Sequence, residues 1–161
     1  MTNLKVDFYL RLILIISLVA IISAYFIEYV LGHQPCNLCL IERIPYGLSI
    51  ILITLNYLFK KNEKFIILLL ILTFCFSFAI SVYHLGIELG LFEESVVCSL
   101  KNTTEIISKE EILKQLQEKS VSCKDVTFRI FGLSLTSINI ILGLILISLL
   151  TKIYNSYEKN K

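Results

Sequence analysis

The sequence predicts an all-α integral membrane protein: a four-helix transmembrane bundle with a short amphipathic helix in its second outer loop. Of its 161 residues, 56% are hydrophobic and only 17% are charged, and the mean hydropathy is +0.78. A soluble domain carries about 25% charged residues, and four crossings of about 20 residues each would occupy roughly half of such a chain. We therefore expect a single membrane domain over residues 1–161.

Four apolar stretches mark the predicted spans, at residues 12–31, 44–59, 65–85 and 132–150. Three of them are long enough to cross a bilayer without help. The second has only sixteen residues, so it needs the preceding residues from Cys39 onward and the snorkelling side chain of Arg43 to reach across. Pro45 supports a helix start at this point, because proline suits the first turn of a helix.

The basic residues predict how the spans are oriented. The side that holds both termini and the 60–64 turn carries eight Lys and Arg in 27 residues, whereas the other side carries seven in 58. Because positive charge retains a loop in the cytoplasm, we expect both termini inside and the loops 32–43 and 86–131 outside. The net charge of only +2, with no basic stripe, argues against a nucleic-acid partner.

One segment of the second outer loop has the pattern of a helix. Ser108 and Glu111 form a capping box, which predicts a short helix running to about Ser120. Its apolar residues, Ile112, Leu113 and Leu116, share one narrow face. This face could lie on the membrane surface or pack on the bundle.

Four of the five cysteines fall on the predicted outer side, where disulfides persist: Cys36, Cys39, Cys98 and Cys123. Four cysteines permit three connectivities, of which proximity favours Cys36 with Cys39 and Cys98 with Cys123. The Cys-x-x-Cys spacing is used where a thiolate must form and leave readily, while the longer bridge also suits a structural staple. A zinc site of four thiolates is a less favoured alternative. Cys75 lies within a span, where we expect a small apolar packing residue.

Two ionisable side chains near the cysteines are candidates to bind an electron acceptor. Arg43 follows Cys39 by four residues, so on a helix it could stabilise a thiolate or donate to carbonyl oxygens. The alternative for Arg43 is snorkelling to headgroups. We expect Glu42 to be a solvated neighbour or partner of Arg43 and not an acid catalyst. His84 ends the third span, where it could supply a proton or simply be interfacial. His33 is a weaker candidate of the same kind.

The run Gln34-Pro-Cys-Asn-Leu-Cys-Leu-Ile-Glu-Arg-Ile-Pro-Tyr-Gly47 closely resembles the redox motif of the disulfide bond formation protein B (DsbB) family of bacterial inner membranes. Tyr83-His-Leu-Gly-Ile-Glu88 and Phe131-Gly-Leu-Ser134 look like later landmarks of that family. The resemblance covers the whole four-span plan. The Cys-x-x-Cys precedes the loop cysteines, whereas in the related vitamin K epoxide reductase family the order is reversed.

The resemblance implies an electron relay across the predicted outer face. A DsbA-like periplasmic thiol oxidase would deliver electrons to the Cys98 and Cys123 pair, with Cys98 forming the mixed disulfide and Cys123 resolving it. Cys36 and Cys39 would then receive the electrons by disulfide exchange. A membrane quinone, ubiquinone or menaquinone, would meet Cys39 near Arg43 and His84. Two alternatives stay open, a non-catalytic scaffold stapled by disulfides and a vitamin K epoxide reductase-like enzyme.

Overall fold

The computed structural model describes residues 2–58, 63–94, 98, 122–124, 128–130 and 132–159. Its helices are α1 (Thr2–Tyr25), α2 (Asn37–Ile41), α3 (Ile44–Leu58), α4 (Glu63–Glu88) and α5 (Leu135–Lys159). A π-helical turn, Phe26–Val30, continues α1, and a short antiparallel ribbon pairs β1 (Arg129–Ile130) with β2 (Leu133–Ser134). The helix predicted at residues 108–120 lies outside the described residues.

The four-helix membrane fold is confirmed within the described part of the chain. Four helical segments are long and apolar enough to cross a membrane, namely Val6–Val30, Asn37–Leu58, Glu63–Glu88 and Leu135–Ser156. The second span does recruit the residues before it, because α2 leads through Glu42 and Arg43 into α3 to give 22 residues in all. Pro45 lies in the first turn of α3, as its missing N–H predicts.

Two helix boundaries differ from the prediction. The first helix begins at Thr2 rather than at residue 12, because Val6 and Leu10 are buried and extend the packed stripe toward the N-terminus. The last helix begins at Leu135 rather than at residue 132. Gly132 has a φ of +84°, which turns the chain between β1 and β2 and cannot belong to a helix. Ser134 caps the helix start, since its Oγ accepts the Ser137 N–H at 3.2 Å.

The centre of the bundle is an apolar core to which all four spans contribute. Fully buried side chains meet there, among them Ile13 of α1, Ile53 of α3, Phe74 of α4 and Leu146 of α5. Burying a side chain of this size gains about 1.5–3 kcal/mol when the alternative is water. In lipid that gain is absent, so close packing and hydrogen bonds between helices must hold the bundle.

Cys75 does not pack in this core, so that expectation was wrong. Its side chain is exposed on the outside of α4, while its neighbours Phe74 and Ser77 are buried. The outside of the bundle is itself apolar, with Phe76 and Leu72 exposed beside Cys75. A small thiol suits such a surface, because lipid solvates it without requiring tight packing.

Candidate redox site

Both cysteine pairs lie together at one end of the bundle, which we call the cysteine end. Cys98 and Cys123 form a disulfide bond. Both are buried in one cluster with Cys36, which also includes Leu38 and Ile87. The side-chain amide of Asn37 adds a polar contact by donating to the Cys98 carbonyl at 3.4 Å. Two cysteine pairs far apart in sequence are therefore neighbours in the folded chain.

The close pair is in the thiol form, and Cys36 is its more acidic member. The two sulfurs of Cys36 and Cys39 are 2.7 Å apart. Cys36 also caps the start of α2, where its sulfur accepts the Cys39 N–H at 3.3 Å. The hydrogen bond from the Cys39 thiol, followed by the hydrogen bond and charge of His84, lowers the pKa of Cys36 to about 5, although burial opposes the shift. A stabilised thiolate is what disulfide exchange requires.

His84 connects Cys36 to a carboxylate. Its Nε2 lies 3.5 Å from the Cys36 sulfur, and its Nδ1 lies 3.0 Å from a carboxylate oxygen of Glu42. The histidine is 1% exposed, so its ring packs inside the protein and not against solvent or lipid. Glu42 is buried as well, so the expectation of a solvated neighbour of Arg43 was wrong. The backbone turn between α2 and α3 directs Glu42 inward, where a buried carboxylate needs a hydrogen-bonded partner.

Polar residues of α4 and α5 hold this cluster in place. The Asn139 side-chain amide donates to Ser81 at 2.7 Å and to Glu42 at 3.3 Å, and its carbonyl oxygen accepts the Tyr46 hydroxyl. Glu42 is thereby fixed from the fourth span as well as by His84. Such a network is costly to leave incomplete in a low-dielectric interior, so each member restrains the others.

A second carboxylate lies on the other side of His84. Glu88 accepts the Thr136 hydroxyl at 2.5 Å, and its carboxylate is 3.9 Å from His84 Nε2. Thr136 Oγ1 is in turn 3.3 Å from His84 Nδ1. The imidazole is therefore surrounded by a thiol, a hydroxyl and two carboxylates.

Arg43 is oriented by the first span. Its Nη1 donates to Glu28 at 2.5 Å, and its guanidinium carbon lies 5.1 Å from the centre of the Tyr25 ring. Arg43 therefore forms an ion pair within the bundle. An arginine that snorkels freely to the headgroups would not make this contact. The hydrogen bonds that stabilise a Cys36 thiolate come from Cys39 and His84 and not from this arginine.

A cavity of about 340 Å³ connects these groups. Ala20, Ala24 and Ile27 of the first span and Leu142 of α5 contribute apolar walls. Its polar lining includes most of the cluster described above, with Cys36, Cys39, Glu42, Arg43, His84 and Asn139 among its residues. Apolar walls with a few convergent polar groups are typical of cofactor sites. This donor set fits the quinone implied by the resemblance, because a flat apolar ring with two carbonyl oxygens needs N–H donors beside a redox-active thiol.

A metal is the other group that these residues could hold. One ligand atom from each of Cys36, Cys39 and His84 lies within 4.8 Å of the others. The four-thiolate zinc site considered from the sequence is not formed, since Cys98 and Cys123 are bonded to each other.

Several residues of the site were missed from the sequence: Glu28, Glu88, Thr136 and Asn139. Glu28 did carry a signal, because it is the single formal charge of the first predicted span. Asn139 carried a weaker one as a polar side chain within an apolar stretch. The partners of Glu28, Thr136 and Asn139 lie on other spans, so spacing along the chain could not identify these three residues. Glu88 does follow His84 by four residues on the same helix, a spacing that could have indicated it.

Comparisons with known proteins show the family of the chain. The sequence profile of the family described as "Disulfide bond formation protein DsbB" matches residues 7–153. The chain is also 33% identical over 155 residues to "Uncharacterized protein RP370" of Rickettsia prowazekii (strain Madrid E), covering 94% of this chain and 90% of that protein. No solved structure matches the chain. The chain belongs to the DsbB family and is a multi-pass membrane disulfide oxidoreductase of the system that forms disulfide bonds.

Proposed function

We propose that this protein reoxidises a DsbA-like periplasmic thiol oxidase and passes the electrons to a quinone of the bacterial inner membrane. The observation that carries the proposal is the packing of both cysteine pairs in one cluster beside a cavity with apolar walls. A soluble dithiol and a lipid-soluble acceptor do not meet directly, so two neighbouring disulfides can transfer electrons between them.

The first exchange involves the longer bridge. A thiolate of the partner attacks Cys98, which breaks the Cys98–Cys123 bond and forms a mixed disulfide. The partner's own second thiolate, rather than Cys123, then attacks the partner sulfur of the mixed disulfide, because attack by Cys123 would return the partner as a dithiol. The partner leaves as a disulfide, and Cys98 and Cys123 remain as a dithiol. Two electrons and two protons have then left the partner.

The second exchange passes the electrons to the close pair. The dithiol of Cys98 and Cys123 reduces the Cys36–Cys39 disulfide and becomes a disulfide again. Closing the Cys36–Cys39 bond then releases two electrons and two protons.

His84 and Arg43 would serve the last step. A bound quinone supplies an acceptor for two electrons and two protons, and Arg43, His84 and the apolar walls of the cavity would hold it. Glu42 faces His84 Nδ1 and favours the tautomer with a proton there, so Nε2 is available to take the proton of Cys36. The Cys36 thiolate that remains is the reactive form of this residue, because disulfide exchange uses a thiolate both as the nucleophile and as the leaving group.

The proposal includes an orientation. We propose that both termini are cytoplasmic and that the cysteine end is periplasmic, as the density of Lys and Arg favours. A reporter that is active only in the cytoplasm, fused after Lys161, should therefore be active. A fusion that is active only when exported would contradict the orientation.

The activity can be tested with purified protein, a reduced DsbA-like thiol oxidase and a soluble short-chain quinone. We expect the quinone absorbance to fall as the partner is oxidised, with one quinone consumed per partner disulfide formed. Cys36→Ser and Cys98→Ser should each abolish turnover, while Cys75→Ser, a matched substitution outside the cluster, should not. Retained turnover in both site variants would refute the proposal, and a close bridge that resists mild reductant would favour the scaffold alternative.

A further inference from the structure

We propose that Glu28 is a positioning residue for quinone binding, whose carboxylate holds the guanidinium of Arg43 at the wall of the cavity. The inference rests on the proposed function, since it concerns the same cavity. Glu28 is not among the residues that line this cavity, whereas Arg43 is. The ion pair with Arg43 joins Glu28 to the cavity wall, so the effect of Glu28 on a bound ring is assigned to this contact.

The contact between the two side chains is short and largely shielded. Nη1 of Arg43 lies 2.5 Å from Glu28 Oε2, with the side chains only 17% and 20% exposed. The Tyr25 ring, 5.1 Å from the guanidinium carbon, holds the same group from a second direction. The guanidinium is thus fixed by two residues of the first span, spaced three apart.

The π-helical turn explains how the first span presents a carboxylate at this place. Over Phe26–Val30 the helix widens, and the Leu31 N–H donates to the Phe26 carbonyl five residues earlier at 3.2 Å. Ile27, within this turn, lines the cavity, and Glu28 beside it is half-buried, while Tyr29 is 75% exposed. Irregular turns of this kind occur often at functional sites, because they redirect side chains that a regular helix would place elsewhere.

The ion pair leaves Arg43 able to bind a carbonyl oxygen. A guanidinium has five N–H donors. Within the described part of the chain the side-chain hydrogen bond of Arg43 is made by Nη1 to Glu28, which leaves donors on Nε and Nη2 for another acceptor. The other nearby carboxylate, Glu42, is directed toward His84 and Asn139. Without Glu28, the long side chain of Arg43 would turn toward water or headgroups, as arginines at a membrane boundary do.

The direct test measures binding rather than turnover. Equilibrium dialysis of the oxidised protein in detergent against a short-chain quinone gives a Kd without any thiol partner. We expect Glu28→Gln to raise this Kd about three- to tenfold, the range for losing a partly shielded ion pair that orients one donor. Glu93→Gln removes the same charge from an exposed position at the cysteine end and should leave the Kd unchanged.

A double-mutant cycle separates positioning from a general structural role. If Glu28 acts through Arg43, then Glu28→Gln should raise the Kd no further when Arg43 is already alanine. The KM for the reduced partner should stay constant in Glu28→Gln, because that site involves Cys98. Should Glu28→Gln fail to fold, Glu28→Asp serves in the same cycle, with an increase of about twofold in the wild-type background and none in the Arg43→Ala background.

The outcomes are distinguishable from those of the proposed function. A wild-type protein that binds no quinone would overturn both proposals. A wild-type protein that binds quinone, together with an unchanged Kd in Glu28→Gln, would overturn only the role of Glu28. Additive effects of the Glu28 and Arg43 substitutions would also overturn it, because they would mean that Glu28 acts independently of the arginine.

Discussion

Replacing His84 by phenylalanine should make Cys36 a weaker acid. The pKa of Cys36 is lowered to about 5 first by the hydrogen bond from the Cys39 thiol and then by the hydrogen bond and charge of the His84 imidazole, which lies 3.5 Å from the Cys36 sulfur. Phenylalanine preserves the ring volume but provides no donor. We expect the pKa of Cys36 to rise by about 1 to 2, which corresponds to about 1.4 to 2.7 kcal/mol of lost thiolate stabilisation.

The sign of the pH dependence follows from the direction of the shift. In the wild-type protein the thiolate of Cys36 is populated above about pH 5, and its stabilising effect on the reduced protein is lost as the pH falls through that value. In His84→Phe the same transition should move to higher pH, so the thiolate fraction between pH 5 and 7 should fall.

Peptide-resolved alkylation of the reduced protein measures this directly. The rate at Cys36, followed by mass spectrometry between pH 4 and 9, should show a midpoint near 5 in the wild type and a higher midpoint in His84→Phe. His33→Phe is the matched control, since that ring contacts Phe128 and lies elsewhere on the cavity wall. An identical midpoint in wild type and His84→Phe would refute the role assigned to the imidazole.

Three further substitutions test the packing described above. Gly86→Ala should lower the melting temperature, because an added Cβ would lie 2.3 Å from the Phe92 ring. Gly143→Ala is its control and should leave the melting temperature unchanged, because the nearest atom to its added Cβ is 3.8 Å away. Asn139→Leu should lower the free energy of unfolding by about 1–2 kcal/mol, measured in mixed detergent micelles, and a value near zero would contradict a restraining role for its three hydrogen bonds. Cys75→Ala should leave both the melting temperature and the turnover unchanged, since its side chain is exposed on the outside of the bundle; a loss of turnover would indicate a fifth redox thiol.

The four spans, and the grouping of four cysteines at one end of them, could be predicted from the sequence because both depend on local composition. Twenty apolar residues make a membrane helix whatever they pack against, and the Cys-x-x-Cys spacing is itself local. The resemblance added the order of the motifs, including His84. These features account for the four-helix fold and for the candidate residues of the site.

The contacts within the site could not be predicted in this way. Glu42 meets His84 across 42 positions of the chain, and Arg43 meets Glu28 across 15. Which of two adjacent charged residues turns inward depends on the backbone turn between α2 and α3, and that turn has no marker such as glycine at residues 42–43. The π-helical turn likewise could not be predicted, because the residues of Phe26–Val30 are those of an ordinary continuation of the helix.

The burial of the disulfide has a consequence for which reductants the protein accepts. Cys98 is 6% exposed and Cys123 is 2% exposed, while Cys36 is 6% exposed beside them. A small thiol diffusing in the surrounding water rarely reaches such sulfurs, so its reaction with them is slow even where it is thermodynamically favoured. A protein that docks on the cysteine end and opens access to Cys98 removes this barrier. Under the proposed function, burial would therefore limit entry of electrons kinetically, so that they come from a docked protein partner and not from small thiols dissolved nearby.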